Sequence, residues 1–158
     1  MIDLHYHVLP GIDDGPRTMA DSVALAAAAA AGATRTIVAT PHISSQWPDN
    51  RAATISAAVD ELNAHPRRAG VPVEVVAGAE VALSRAAELD ACELEALRLG
   101  GGPWLLVECP LKTPAPGTEL GLGRWPTRVT GSCSPIPSAA RCFSATRAAW
   151  QRSSTAGC

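Results

Sequence analysis

Histidine and carboxylate side chains hold divalent metal ions near neutral pH, and this chain gathers them in a few places. Residues 3–15 read DLHYHVLPGIDDG. Two of the chain's four histidines, His5 and His7, stand one residue apart there, and Asp13 and Asp14 follow in a bend bounded by glycines. His42 follows in ATPH, Glu80 in AGAE and Glu108 at the end of WLLVE. In an extended segment, residues two apart project from one face, so His5 and His7 can converge on one ion. Mixed imidazole and carboxylate ligation suits zinc, manganese or iron, and a carboxylate can bridge two such ions. Two or three close divalent ions generate hydroxide near neutral pH and hold phosphate oxygens in line for displacement.

These residues need elements to position them. Ile2 to His7 reads as a strand followed by a Pro10-Gly11 turn. Thr18-Met19-Ala20-Asp21 resembles a capping box and opens an alanine-rich helix to about Ala31, stopped by Gly32. Arg35 to Thr40 is strand-like and ended by Pro41. Asp49 or Asn50 is placed to cap a helix through Leu62, with Ile55, Ala58 and Leu62 at helical spacing. Val71 to Ala79 reads as a third strand, Leu83 to Leu99 as one helix broken by Gly100-Gly101-Gly102, and Trp104 to Val107 as a fourth strand. Strands alternating with helices predict a parallel α/β fold of barrel type. In such barrels the C-terminal ends of the strands carry the active face. His5 and His7, His42, Glu80 and Glu108 each fall at such an end, with Asp13 and Asp14 in the first loop.

Each residue alone also fits a plainer role. Asp14 beside a glycine fits an Asx turn; His42 fits a strand end; Glu80 and Glu108 fit exposed carboxylates. Their recurrence at equivalent places in successive βα units favours a shared metal site. Asp60 and His65 fall outside the pattern, on a solvated helix face. Cys109 adjoins Glu108 but has no neighbouring base, which disfavours a thiol nucleophile.

The totals narrow the class. At 158 residues, 47% hydrophobic and a formal charge of -2, the chain reads as one soluble globular domain or part of one, with no bias toward nucleic acid. No secretory signal precedes the first motif, and the longest uncharged apolar run, Ser22 to Thr34, is too short to cross a bilayer. Five cysteines without a Cys-x-x-Cys pair read as reduced thiols in a cytoplasmic protein.

DLHYHVLPGIDDG, TIVATPH, AGAE and LLVECP together resemble the PHP (polymerase and histidinol phosphatase) metallophosphoesterases. Within them they are most nearly similar to the bacterial capsule-type, manganese-dependent protein-tyrosine phosphatases. The resemblance covers about Met1 to Pro110 and implies a distorted (β/α) barrel holding two or three divalent ions, Mn2+ being the expected one. It implies His5, His7, Asp14, His42, Glu80 and Glu108 as ligands, with Glu80 bridging. Hydroxide held by the ions would attack the phosphorus of phosphotyrosine, without a cysteine intermediate. The implied partner is a phosphotyrosine protein, a tyrosine kinase of capsule or exopolysaccharide export. Histidinol phosphate is the alternative small-molecule substrate within the PHP group, and a non-catalytic pseudogene fragment is the non-enzymatic alternative. An amidohydrolase also uses His-x-His, but GIDDG and ATPH favour PHP.

The sequence departs from the family pattern in two ways. Ile43 stands where the family often has a second histidine. An Ala-His-Pro-Glu-Arg motif and a later Ser-Asp-Ala-His motif are absent, which leaves the ion cluster short of ligands. Every acidic residue lies at or before Glu119, and the only charged residues beyond it are arginines. Back-translating Ser132 to Ala139 with G- or C-ending codons and reading one base earlier yields Leu-Leu-Ala-His-Pro-Glu-Arg. Residues 1–119 therefore read as the N-terminal part of a PHP phosphatase domain, and 120–158 as an irregular tail in a shifted frame. On this reading the first four βα units cannot close the barrel, Trp104 to Val107 is left as an unpaired edge, and metal affinity and phosphatase activity are weak. The nucleotide sequence across codons 116–125 is expected to contain a one-base interruption; a single contiguous frame encoding another sequence there would exclude it.

Overall fold

In the computed structural model, residues 1–68 and 70–108 are described together with the backbone of a strand at 128–132. Strand β1 (Ile2–Tyr6), helix α1 (Met19–Ala31) and strand β2 (Thr36–Ala39) open the chain. Thr18 is the N-cap of α1: its hydroxyl accepts from the Asp21 amide at 3.2 Å and donates to the Asp21 carboxylate at 2.7 Å. The expected capping box is thus present, with aspartate's shorter arm reaching the cap hydroxyl rather than the cap amide.

Beyond β2 the strand is interrupted at Thr40-Pro41 and the chain continues as a short strand, β3 (His42–Ile43). Helix α2 (Ala52–Arg68) leads to β4 (Glu74–Ala77), which is interrupted at Gly78-Ala79 and followed by β5 (Glu80–Ala82). Helices α3 (Leu83–Ala86) and α4 (Ala91–Ala96) and a 3-10 turn precede β6 (Trp104–Glu108), and β7 is Arg128–Ser132. The strands form two sheets, β1-β2-β4 and β3-β5-β6-β7, and every pairing is parallel. The second and third strands of the sequence pattern are each split by a two-residue break, and their ends pass from one sheet to the other.

The core lies between these sheets and the helices. Ile37, Leu62, Ala39, Ala79 and Val81 are wholly buried, joined by Leu9, Ile43, Ile55, Val75, Leu97, Leu105 and Val107 at 1% exposure. Burial of each such Leu, Ile or Val contributes about 1.5–3 kcal/mol. Ile55 and Leu62 are buried at the expected helical spacing, joined by Val59, while Asp60 is exposed as expected. Asn63 covers the outer edge of β4: its amide donates to the Val75 carbonyl at 2.7 Å and accepts from the Val75 amide at 3.0 Å. An unpaired strand edge is satisfied without a further strand.

Several expectations are corrected. The span Leu83 to Leu99 is not one helix, because Asp90 accepts from the Glu93 amide at 2.8 Å and starts a new helix. Glu93 in turn accepts from the Ala52 amide at 2.8 Å and caps α2. Neither Asp49 nor Asn50 caps that helix; Asn50 instead donates to the carbonyls of Ile12 and His42. Cys92 is disulfide-bonded, against the reading of reduced thiols. The edge of β6 is not free, since β7 pairs with it from Trp104↔Arg128 to Glu108↔Ser132. The tail is therefore not irregular throughout. The remainder of 120–158, the segment in which a frame shift is expected and Cys109 lie outside the described residues.

Gly78 lies between β4 and β5, close against Val38 and Leu99. A Cβ there would lie 2.7 Å from Val38 Cγ1 and 3.1 Å from Leu99 Cδ2, inside the contact distance of packed atoms. Gly78→Ala is expected to lower the stability of the chain by about 1–3 kcal/mol through overpacking, read as a lower urea midpoint at unchanged slope.

Candidate metal centre

The breaks at which strands pass from one sheet to the other also precede the polar side chains. His5 lies in β1 and His7 directly after it; His42 opens β3, Glu80 opens β5, and Glu108 ends β6. His42 and Glu80 are register partners in the β3–β5 pair. β1 is held to the chain beyond β2 by two bonds of Thr40: its hydroxyl accepts from the Tyr6 amide and its amide donates to the Tyr6 carbonyl, both at 3.0 Å.

Glu80 is the centre of this arrangement. Its Oε2 lies 3.1 Å from His5 Nε2, 3.3 Å from His7 Nε2 and 3.4 Å from His42 Nδ1. The His5 and His7 Nε2 atoms are 3.4 Å apart, so the two rings converge as expected. Asp14 Oδ1 stands 3.4 Å from His7 Nδ1 and 3.7 Å from His42 Nε2, with its side chain largely exposed. Glu108 Oε2 approaches His42 Nδ1 at 3.7 Å, and its side chain is partly exposed. His65 is remote, bonded through Nδ1 to the Glu61 carbonyl of its own helix.

Two sets of donor atoms lie close enough together to share an ion: His5, His7 and Glu80, and His7, Asp14 and His42, each within 4.8 Å. Nitrogen and oxygen ligands about 2.1 Å from a divalent ion stand about 3.0–3.4 Å from one another. The first set meets that spacing at 3.1, 3.3 and 3.4 Å. The donor types and their separations fit a borderline metal such as manganese or zinc. Glu108 is outside both sets and adjoins them through His42.

Asp13 was not expected to have a part here. Its side chain is wholly buried, and Oδ2 accepts from His7 Nδ1 at 2.8 Å and from the His42 amide at 3.2 Å. Oδ1 accepts from the Gly15 amide at 2.9 Å, so the Asx turn considered for Asp14 belongs to its neighbour. Gly15 must lack a side chain: a Cβ would sit 2.9 Å from the His7 carbonyl oxygen and 3.0 Å from Asp13 Oδ1. The Asp-Asp-Gly spelling holds the signal for this turn, but not which aspartate faces inward. Asn50, which joins the carbonyls of Ile12 and His42, was likewise missed because its neighbours suggested a helix cap.

The charges are strongly coupled. Hydrogen bonds from His7 to Asp13 and then to Glu80 raise its pKa to about 10, burial opposing. Burial pushes the Asp13 carboxyl up, but bonds from His7, Gly15 and His42 outweigh it and leave the pKa lowered. Burial likewise opposes ionisation of Glu80, and His7, His5 and His42 overcome it. The buried carboxylates thus favour positive charge between them.

A raised histidine pKa stabilises the fold fully below its ordinary value and ceases to do so as pH rises through the folded value. Lowered carboxylate values stabilise above their ordinary range and fail as pH falls through the lowered ones. In chelator, the chain is expected to be most stable between about pH 5 and pH 6.5. Its urea midpoint should decline as the pH is raised toward 10, the folded value of His7; a midpoint flat across that range would contradict the pairing.

With the geometry in place, comparison with known proteins identifies the lineage. The chain is 36% identical over 110 residues to the tyrosine-protein phosphatase YwqE of Bacillus subtilis, covering 70% of this chain and 43% of that protein. A chain from the crystal structures of YwqE from Bacillus subtilis and CpsB from Streptococcus pneumoniae, described as unique metal-dependent tyrosine phosphatases, superposes with a TM-score of 0.68 at 33% identity. That match covers 76% of this chain and 49% of the other. The present chain therefore spans less than half the length of the relatives it matches. A family model for capsular polysaccharide synthesis proteins of the CpsB/CapC type matches residues 1–117. With most of its length matched by that model, the chain belongs to the CpsB/CapC family.

Proposed function

We propose that this chain carries the metal-binding part of a phosphatase that hydrolyses phosphotyrosine in proteins. The observation that supports it most directly is the convergence of His5, His7 and Glu80, whose donor atoms are 3.1–3.4 Å apart. The printed descriptions of the relatives, metal-dependent tyrosine phosphatases, supply the substrate class. His5, His7, Asp14, His42, Glu80 and Glu108 are the proposed ligands of two or three divalent ions, with Mn2+ the favoured metal. Glu80, facing three imidazoles, is the proposed bridging ligand.

Bound divalent ions acidify water and offset the charge on phosphate oxygens. The chain's own residues orient those ions and the substrate's phosphate relative to each other. Asp13 holds His7, the Thr40 bonds hold β1 against the neighbouring strand, and the β3–β5 register sets His42 beside Glu80. Ile43, Val81 and Val107, on the strands that carry His42, Glu80 and Glu108, are buried in the core. The protein partner is a tyrosine kinase of capsule or exopolysaccharide export, in the cytoplasm. Among the described residues no helix is long and apolar enough to cross a membrane.

The two parallel sheets are read as part of a distorted PHP-type barrel, with a domain boundary near residue 119 and residues 120–158 translated from a shifted frame. Weak activity is accordingly expected of this chain, and restoration of the frame should raise it. With Mn2+, a phosphotyrosine peptide is expected to be hydrolysed in preference to histidinol phosphate. Glu80→Gln should lower the rate by more than about 100-fold, beyond the 10–100-fold typical of residues that only orient ligands. Faster turnover of histidinol phosphate would favour the small-molecule reading. Metal-free, inactive protein even after the frame is restored would favour a non-catalytic fragment.

A further inference from the structure

We propose that Asp13 is a positioning residue of the metal centre: its buried carboxylate commits His7 to bind through Nε2 and ties that ring to the backbone of His42. The inference rests on the metal-centre reading above and adds a residue outside the ligand set. Three observations carry it. Asp13 has a wholly buried side chain, unlike its neighbour Asp14 at 68% side-chain exposure. Its two oxygens receive donors from three segments: the ring of His7 after β1, the Gly15 amide of the loop and the His42 amide at the start of β3. And Gly15 leaves no room for a side chain between that carboxylate and the His7 carbonyl.

The chemical consequence follows from the two nitrogens of imidazole. A neutral ring donates at one nitrogen and offers a lone pair at the other. With Nδ1 donating to Asp13 at 2.8 Å, the lone pair of His7 is at Nε2, beside His5 Nε2 and Glu80 Oε2 at 3.4 and 3.3 Å. His7 therefore belongs with His5 and Glu80. Asp14 Oδ1 approaches His7 on the side of Nδ1, the nitrogen that Asp13 already occupies. Asp14 Oδ1 lies nearer to that Nδ1, at 3.4 Å, than His42 Nε2 does to Asp14, at 3.7 Å, but Asp13 is closer than either. The bond from the His42 amide ties the backbone at the start of β3 to the same carboxylate.

Asparagine has nearly the shape of aspartate but only one acceptor oxygen, so Asp13→Asn turns an NH2 toward at least one of the donors. The test uses the full chain labelled with 15N-histidine. Zn2+ affinity is measured by competition with a chromophoric chelator, and long-range 1H–15N spectra report which ring nitrogen binds. Zn2+ affinity is expected to fall roughly 10- to 100-fold in Asp13→Asn, as for other carboxylates that orient a ligating histidine. The parent's zinc-loaded His7 should show a protonated, slowly exchanging Nδ1 and a metal-bound Nε2. Unchanged affinity in a folded Asp13→Asn chain, or Nδ1 ligation in the parent, overturns the inference. The parent spectrum decides the matter even if the variant does not fold. Failure of the parent to bind Zn2+ or Mn2+ at all overturns the metal-centre reading, and this inference with it, and is distinguished by appearing without any substitution.

Discussion

A carboxylate at 4% exposure loses most of its hydration, and it remains ionised only where donors or positive charge replace the water. Glu80 meets that condition by facing His5, His7 and His42 at once. Those histidines come from different strands, so the carboxylate is satisfied only when β1, β3 and β5 are all in register. The site and the sheets are thus mutually dependent. A misplaced strand would leave a buried charge unpaired, which costs several kcal/mol rather than the fraction lost with a surface pair.

The strand breaks between the sheets are the structural means. Thr40-Pro41 and Gly78-Ala79 interrupt what would otherwise be longer strands, and the residues just beyond are His42 and Glu80. Polar side chains are costly inside a parallel sheet buried on both faces. Placing them where the chain leaves one sheet for the other puts them beside a partly open surface, while Val75, Val81 and Val107 remain in the core. Ile43, which stands where the family often has a second histidine, is 1% exposed and belongs to that core.

The same geometry accommodates either protons or metal ions. Imidazole nitrogens must be unprotonated to bind a metal, whereas Asp13 and Glu80 favour a proton on His7. A cation entering between the carboxylates would replace the positive charge that the proton supplies. Asp13 orients the ring in both cases, because its bond is to Nδ1 and leaves Nε2 turned inward.

The alternation of apolar runs and glycine or proline breaks was enough to place β1, α1, β2, α2, the centre of β4 and β6. Hydrophobic burial dominates each of these elements, and its period is local. The residue types at the strand ends likewise singled out His5, His7, Asp14, His42, Glu80 and Glu108 as candidates, and the structure draws His5, His7 and Glu80 together. Three features depended on contacts between segments distant in the chain. The inward turn of Asp13 rather than Asp14 arises from donors at His7, Gly15 and His42. Asn50 is drawn from a helix cap into the loop by the carbonyls of Ile12 and His42. Strand β7 exists through its pairing with β6, despite a local pattern too weak to announce it. Local propensity contributes tenths of a kcal/mol per residue, so a buried hydrogen bond to a distant partner, about 1 kcal/mol or more, overrides it.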